Sequence, residues 1–263
     1  MFEMLKEKAK HMEVWERHGC LLVDECKVSK TKKFDKNLME FVGFINLGHH
    51  TPQKMENSLG DHALVIMFQP FAGHGLQALA CFLSGGDISG EILSKIMPEC
   101  IISCENAGLY IDVITSDGAS WNRKMWKHLN IENTEEPWCE HPMDETRKLR
   151  MCSDFPHLIK CLRNNLIKKK NFRVHQYKIL RSKITILKLF QIPEGCVEFG
   201  HFENLVEYES SKMFKMAYKL TLSHIYPKYG EKMNTRLAFQ VGSKFEELGR
   251  NENMLLIHFL VIQ

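Results

Sequence analysis

The chain has 263 residues, 44% apolar and 25% charged, with a formal charge of +3. That is the composition of an ordinary globular protein of one large or two smaller domains, and the charge is too small to diagnose nucleic-acid binding. Nine cysteines with no Cys-x-x-Cys exclude a disulfide framework or a Cys-x-x-Cys zinc site and favour reduced, intracellular thiols.

Residues 1–8 lack the apolar core of a signal peptide, and the closing run 254–262 is too short to span a bilayer. The expectation is a protein neither secreted nor membrane-embedded. Residues 3–17 are good helix formers, with Leu5, Met12 and Trp15 as contacts, and His18-Gly19 is a plausible stop. Cys20 to Val28 reads as a strand. Asp24 then shares a face with Leu22 and Cys26, and Glu25 shares the other with Val23 and Lys27, a structural position. An acid between apolar neighbours loses several kcal/mol of hydration unless paired or bound to a cation. Asp24 is therefore either a site residue or part of a surface-edge strand.

Phe41 to Leu47 reads as a short strand, and His49 to Gly60 as a polar loop. Ala63–Phe68 and Leu76–Leu83 are two further strands, joined by a turn short enough for a hairpin. A helix is expected over 88–106, with the stripe Ile92, Leu93, Ile96, Met97, Cys100, Ile101 and Cys104. Core packing explains Cys100 and Cys104 better than metal binding does.

The stretch Tyr110-Ile-Asp-Val-Ile-Thr-Ser-Asp-Gly organises the rest. Residues 110–115 have the pattern of a strand buried on both faces, Asp117-Gly118 breaks it, and Trp121, Met125 and Leu129 have helical spacing. Asp117 thus stands at the carboxyl end of a strand, where open α/β sheets place their sites. The local alternative is that it only opens the turn or caps the helix. An acidic, polar loop follows. Then come a strand at Leu149–Cys152 and a helix opened by Ser153-Asp154-Phe155-Pro156, with Leu158, Leu162 and Leu166 on one face. This order predicts a mixed five-stranded α/β sheet flanked by helices, the ribonuclease H-like plan. If the first strand lies beside the fourth, Asp24 and Asp117 face one crevice from strands roughly 5 Å apart. A divalent cation relieves the repulsion between such acids, and Mg²⁺ (or Mn²⁺) suits oxygen ligands.

Val23-Asp24-Glu25, Asp61 to Phe68, Gly90-Glu-Ile-Leu93, Ser116-Asp117-Gly118 through Trp121-Asn122, Glu140-His-Pro142 and Ser153 to Asn164 are similar to P-element-type DNA transposases. The resemblance covers roughly 18–166 well and implies a ribonuclease H-like catalytic domain that cleaves and joins DNA with divalent metal. Asp24 and Asp117 match the first two metal-binding acids. Asp154 and His157 fall where related transposases carry a short motif ending in histidine; the alternative is that Asp154 caps the helix and His157 packs on the sheet. Glu231 to Val241 resembles, more weakly, part of the helical insertion associated in the family with GTP binding. No Gly-x4-Gly-Lys-Ser/Thr occurs, so no nucleotide ligand is assigned. The organisation this implies is an amino-terminal helix at 1–19, the catalytic domain at 20–166, and an incomplete insertion-like helical region at 167–263.

Ten Lys or Arg residues and no acid lie between Phe155 and Ile192. Lys160, Arg163, Lys168, Lys169, Lys170 and Arg173 are the leading candidates for DNA-backbone contact, with Phe172 and Tyr177 as aromatic partners; Lys178, Arg181, Lys183 and Lys188 complete the block. A solvated basic face and a nuclear-localisation role for Lys168-Lys169-Lys170 are the alternatives. The family's zinc module and third acid have no counterpart in the sequence. The expectation is a fragment or derivative of such a transposase that binds DNA non-specifically and cleaves it undetectably. The alternative is an inactive, domesticated DNA- or protein-binding module. DNA is the expected partner and the nucleus the expected location, with a homo-oligomer among the open assemblies.

Overall fold

A computed structural model of the protein describes residues 1–73, 75–86, 88–117, 119–131, 137–174, 195–215 and 220–241, with side chains except at 171–174, 195–198 and 201. The chain divides into two compact units, Met1–Asp154 and Phe155–Gln263. The boundary read from sequence at 166 falls inside a helix that belongs wholly to the second unit.

The first unit begins with α1 (Phe2–Lys10) and a 3-10 turn (Val14–Arg17). Then follow β1 (His18–Lys27), β2 (Lys33–Asp35), β3 (Glu40–Val42), β4 (His62–Pro70), β5 (Gln77–Ser84), α2 (Gly90–Asn106), β6 (Tyr110–Ser116), α3 (Ser120–His128), β7 (Trp138–His141) and β8 (Asp144–Ser153). Six strands form one mixed sheet in the order β5-β4-β1-β6-β8-β7. β6 runs parallel to both β1 and β8, whereas β4–β1, β4–β5 and β7–β8 are antiparallel. Alternation decides the faces: Leu21, Val23, Leu64, Ile66, Phe68, Ile114 and Met151 point into one core. α2 meets that core with the predicted stripe, of which all but Ile92 is buried. Cys100 and Cys104 are buried within it, and burial pushes their thiols up to about 11 and about 12.

Four sequence expectations change. The first helix stops at Lys10, Trp15 is 60% exposed, and His18-Gly19 open β1 instead of ending the helix. The expected strand at 41–47 is only Glu40–Val42, paired with Lys33–Asp35; beyond it, the Ile45 N–H donates to Ser58 O and Asn46 makes an isolated bridge to Leu83. The sheet gains a sixth strand, β7, from the stretch read as a loop. Residues 132–136 of that loop lie outside the described residues. Finally, the sheet face carrying Asp24 is not a buried apolar face, since Leu22 is half-buried and Asp24 and Cys26 are exposed.

The second unit starts with α4 (Phe155–Lys169), which has Pro156 in its first turn. Ile159, Arg163 and Leu166 are its buried residues, whereas the predicted Leu158 and Leu162 are half-buried against Ile159 and Ala238. The region is not wholly helical: β9 (Asn171–Val174) pairs antiparallel with β10 (Gly195–Glu198). Helices Phe199–Ser210 and Leu222–Ile225 follow, and the Glu231–Lys232 backbone forms part of a 3-10 turn. Among the described residues no helix is long and apolar enough to cross a membrane.

Candidate metal and nucleic-acid site

β1 and β6 lie side by side, with Val23 opposite Ser116. The next residue after each is an acid, so Asp24, within β1, and Asp117, just past the end of β6, come at the same level. Both line one hollow of about 270 Å³, together with Glu25, Lys27, His62, Trp121 and Asn122. The pairing required for a shared crevice is therefore present.

Asp117 is held from the helix that follows. Its Oδ1 accepts the Ala119 N–H at 2.9 Å and the Asn122 Nδ2–H at 2.7 Å. Asn122 is buried one turn into α3, whose Met125 is fully buried in the core. The local alternative, in which Asp117 opens the turn, is thus realised, and the same carboxylate still borders the hollow. Asp24 is exposed, and its Oδ1 accepts the Glu25 N–H at 2.9 Å. Its conspicuousness in the sequence rested on desolvation, which its exposure removes; what singles it out is its level with Asp117.

Glu25, read as structural, accepts a hydrogen bond from Ser84 Oγ at 3.1 Å and also borders the hollow. His62 stands beside it with Nδ1 2.8 Å from Asp61 Oδ1. That oxygen accepts the Gly86 N–H at 2.7 Å as well, and the His62 and Gly86 bonds hold the Asp61 carboxyl below its usual range. Lys27, His62 and Asn122 were given no site role from sequence, although His62 and Asn122 lie in the motifs that carry the resemblance. Only Asn122 gave a signal, as a polar residue on a helix turn facing the core.

Asp154 follows β8, and its backbone N–H donates to Ser116 O at 2.7 Å, so it stays beside the end of β6, one residue before Asp117. His157 lies half-buried on α4 in the second unit. Of the basic block, Lys168 and Lys169 are exposed, Lys160 is half-buried, and Lys170 pairs with Glu203 at 3.2 Å. The side chains of Phe172 and Arg173 lie outside the described residues, as do Tyr177, Lys178, Arg181, Lys183 and Lys188.

Arg163 corrects the reading of that block. The residue is 3% exposed, and its guanidinium donates to Lys232 O at 2.6 Å, Glu231 O at 3.3 Å and Asn164 Oδ1 at 2.9 Å. Burial lowers its pKa against the pull of Glu231. It secures the 231–232 backbone and is not available to a phosphate. Arg163→Ala is expected to destabilise the second unit by about 2 kcal/mol, the scale for lost hydrogen bonds to a charged donor. The salt slope of DNA binding should stay unchanged, whereas Lys168→Ala with Lys169→Ala should flatten it. A flattened slope in the stable fraction of Arg163→Ala would reverse this assignment.

Residues 1–130 match the family model described as TNP-like, RNase H N-terminal domain. Transposable element P transposase of Drosophila melanogaster is 38% identical over 60 residues, which are 23% of this chain and 8% of that protein. The solved Drosophila P element transposase strand transfer complex has a similar fold, with a TM-score of 0.66 at 18% identity. That match covers 98% of this chain and 52% of the other, so the chain spans about half the length of its structural relative. Residues 1–130 therefore match the TNP-like RNase H N-terminal domain, and part of the chain is homologous to P element transposase, whose fold it shares.

Proposed function

We propose that this chain works on DNA as the ribonuclease H-type part of a P-element-like transposase, with Asp24 and Asp117 as its cation ligands. One observation carries the reading: two acids distant in sequence, one within β1 and one just past the parallel β6, come at the same level and border one hollow. The donors there are carboxylate oxygens, which fit Mg²⁺ or Mn²⁺ better than soft-ligand metals. When bound, such a cation supplies Lewis-acid polarisation of a phosphoryl oxygen and an activated water. The chain's own part is placement. Asn122 and the Ala119 amide fix the Asp117 carboxylate, and Asp24 is positioned by its strand.

A basic, aromatic hairpin that follows β1 in the chain supports DNA as the partner. Directly after β1, the β2–β3 hairpin exposes Phe34 and Phe41, 42% and 54%, with ring centroids 5.2 Å apart. Lys30, Lys32, Lys33 and Lys36 are exposed around them, and Lys27 borders the hollow itself. Lysines with stackable rings are the combination that holds a nucleic-acid strand. Nuclear location and GTP binding by the second unit belong to the same proposal. The exposed Lys168-Lys169 pair and the family resemblance support them, and a titration with a fluorescent GTP analogue tests the latter.

A second reading, DNA binding without cleavage, is favoured by one observation. Among the described residues, Asp24 and Asp117 have no third carboxylate, histidine or cysteine converging with them as a metal cluster. The 263-residue polypeptide is accordingly expected to bind Mn²⁺ weakly, to bind DNA in a salt-sensitive way, and to nick it undetectably. Mn²⁺ titration and a nicking assay, each with Asp24→Asn, Asp117→Asn and Asn122→Leu, test both readings. Either aspartate variant should abolish Mn²⁺ binding, and Asn122→Leu should weaken it about tenfold, as loss of a partner that orients a ligand does. Mn²⁺ binding indifferent to both aspartates would sink the site. Robust nicking abolished by both would show that another residue completes it.

A further inference from the structure

Remote in sequence from Asp24 and Asp117, a tight turn presents two consecutive histidines to one glutamate of α2. The turn is built rigidly. Asn46 exchanges backbone hydrogen bonds with Leu83 at 2.8 and 3.2 Å, which ties it to β5, and Leu47 is buried. Gly48 has φ 63°, a left-handed conformation that glycine adopts without penalty. Thr51 Oγ1 accepts the Leu47 N–H and donates to Gly48 O, both at 2.8 Å, closing the loop. His49 and His50 therefore stand together, with ring centroids 4.0 Å apart. Their Nε2 atoms lie 3.1 and 2.9 Å from the same oxygen, Glu99 Oε1.

The three ligand atoms lie within 4.8 Å of one another. In a tetrahedral zinc site with bonds near 2.0–2.1 Å, neighbouring ligand atoms are about 3.3 Å apart. Both histidine–glutamate distances are close to that edge length. Two imidazole nitrogens and one carboxylate oxygen are the donors of a borderline divalent ion, and three protein ligands leave a fourth position for water. We propose that His49, His50 and Glu99 form a zinc-class metal site that staples the 48–51 turn to α2. It differs in donor chemistry from the carboxylate pair of Asp24 and Asp117, and it stands whether or not that reading holds.

The test uses the full chain carrying Asp24→Asn and Asp117→Asn, stripped of metal and titrated with Co²⁺ and then Zn²⁺. The expected result is one equivalent of Co²⁺ giving the intense visible bands of a four-coordinate site, displaced by Zn²⁺, with a raised thermal midpoint. His50→Ala should weaken binding on the order of 100-fold or more, beyond the effect of losing an outer-shell partner. Because His50 is largely enclosed, the exposed His49→Ala and the near-isosteric Glu99→Gln provide variants with little demand on folding. Both should lose the cobalt bands and the thermal shift. Stoichiometric binding unchanged in all three variants would overturn the proposal. So would weak binding shared equally by the parent and every variant, which would mean an adventitious ion only.

Discussion

Arg147→Met is expected to lower the stability of the first unit by about 3 kcal/mol at pH 8, the lower end for breaking a buried ion pair. The guanidinium joins the carboxylates at the amino end of β6. It donates to Glu105 Oε1 and Oε2 at 3.0 and 2.9 Å, and to Asp112 Oδ1 at 2.8 Å. Asp112 also bonds His18 Nδ1 at 2.7 Å. Burial works to raise the Asp112 pKa, but Arg147 and His18 outweigh it and hold the carboxyl below its usual range. Removing the cation leaves Glu105, whose side chain is 7% exposed, without its main counter-charge.

The size of the loss should depend on pH through His141. This ring is fully buried and satisfied as a neutral group: Nδ1 accepts the Met143 N–H, and Nε2 faces Ile111 O at 3.1 Å. Burial first, and then the Arg147 charge, depress its pKa. A depressed folded-state pKa means that stability is present above the unfolded value of about 6.5 and is lost as pH falls through the folded value. In the variant one cause of the depression is gone while Glu105 stays 3.1 Å away. His141 then takes a proton more easily and replaces part of the missing charge. The gap between wild type and Arg147→Met should therefore narrow between pH 8 and pH 6. Urea unfolding at both pH values measures it. A constant or widening gap would show that His141 does not respond to Arg147.

Gly90→Ala sets two effects of opposite sign against each other. On helix propensity alone, alanine should stabilise α2 by up to about 1 kcal/mol. The added methyl, however, would lie 2.5 Å from Lys124 Cβ, 2.6 Å from Met125 N and 2.8 Å from Trp121 O. Two of these are backbone atoms of α3 and cannot swing aside, so the helices must separate. Overpacking of this kind costs about 1–3 kcal/mol, and a net destabilisation of about 2 kcal/mol is expected. α3 also carries Asn122, which orients Asp117, so Mn²⁺ affinity should fall together with the thermal midpoint. A variant as stable as wild type with unchanged Mn²⁺ binding would mean that the α2–α3 contact does not position the site.

The amino-acid sequence was most informative where one period repeats. The apolar stripe of α2 and the break from β6 through Asp117 into α3 follow from local patterning, because a side chain's face depends only on its spacing. Right-handed crossovers then leave few ways to order the strands, and the placement of β1 beside β6 agrees with that expectation. β7 escaped because four residues in a polar stretch carry no period, and pairing with β8 alone makes them a strand.

Charge was legible as a count but not as a location. Arg163 sits in a basic block, yet its guanidinium is enclosed by backbone carbonyls 68 and 69 residues away. His49 and His50 meet Glu99 across about fifty residues, and His141 meets Glu105 across a helix and two strands. The sequence by itself determined the strongly periodic elements and the two acids that come level on β1 and just past β6. Only the tertiary structure decided which charged groups are exposed, which are paired and which converge, because burial and electrostatic partners arise from contacts between segments remote along the chain.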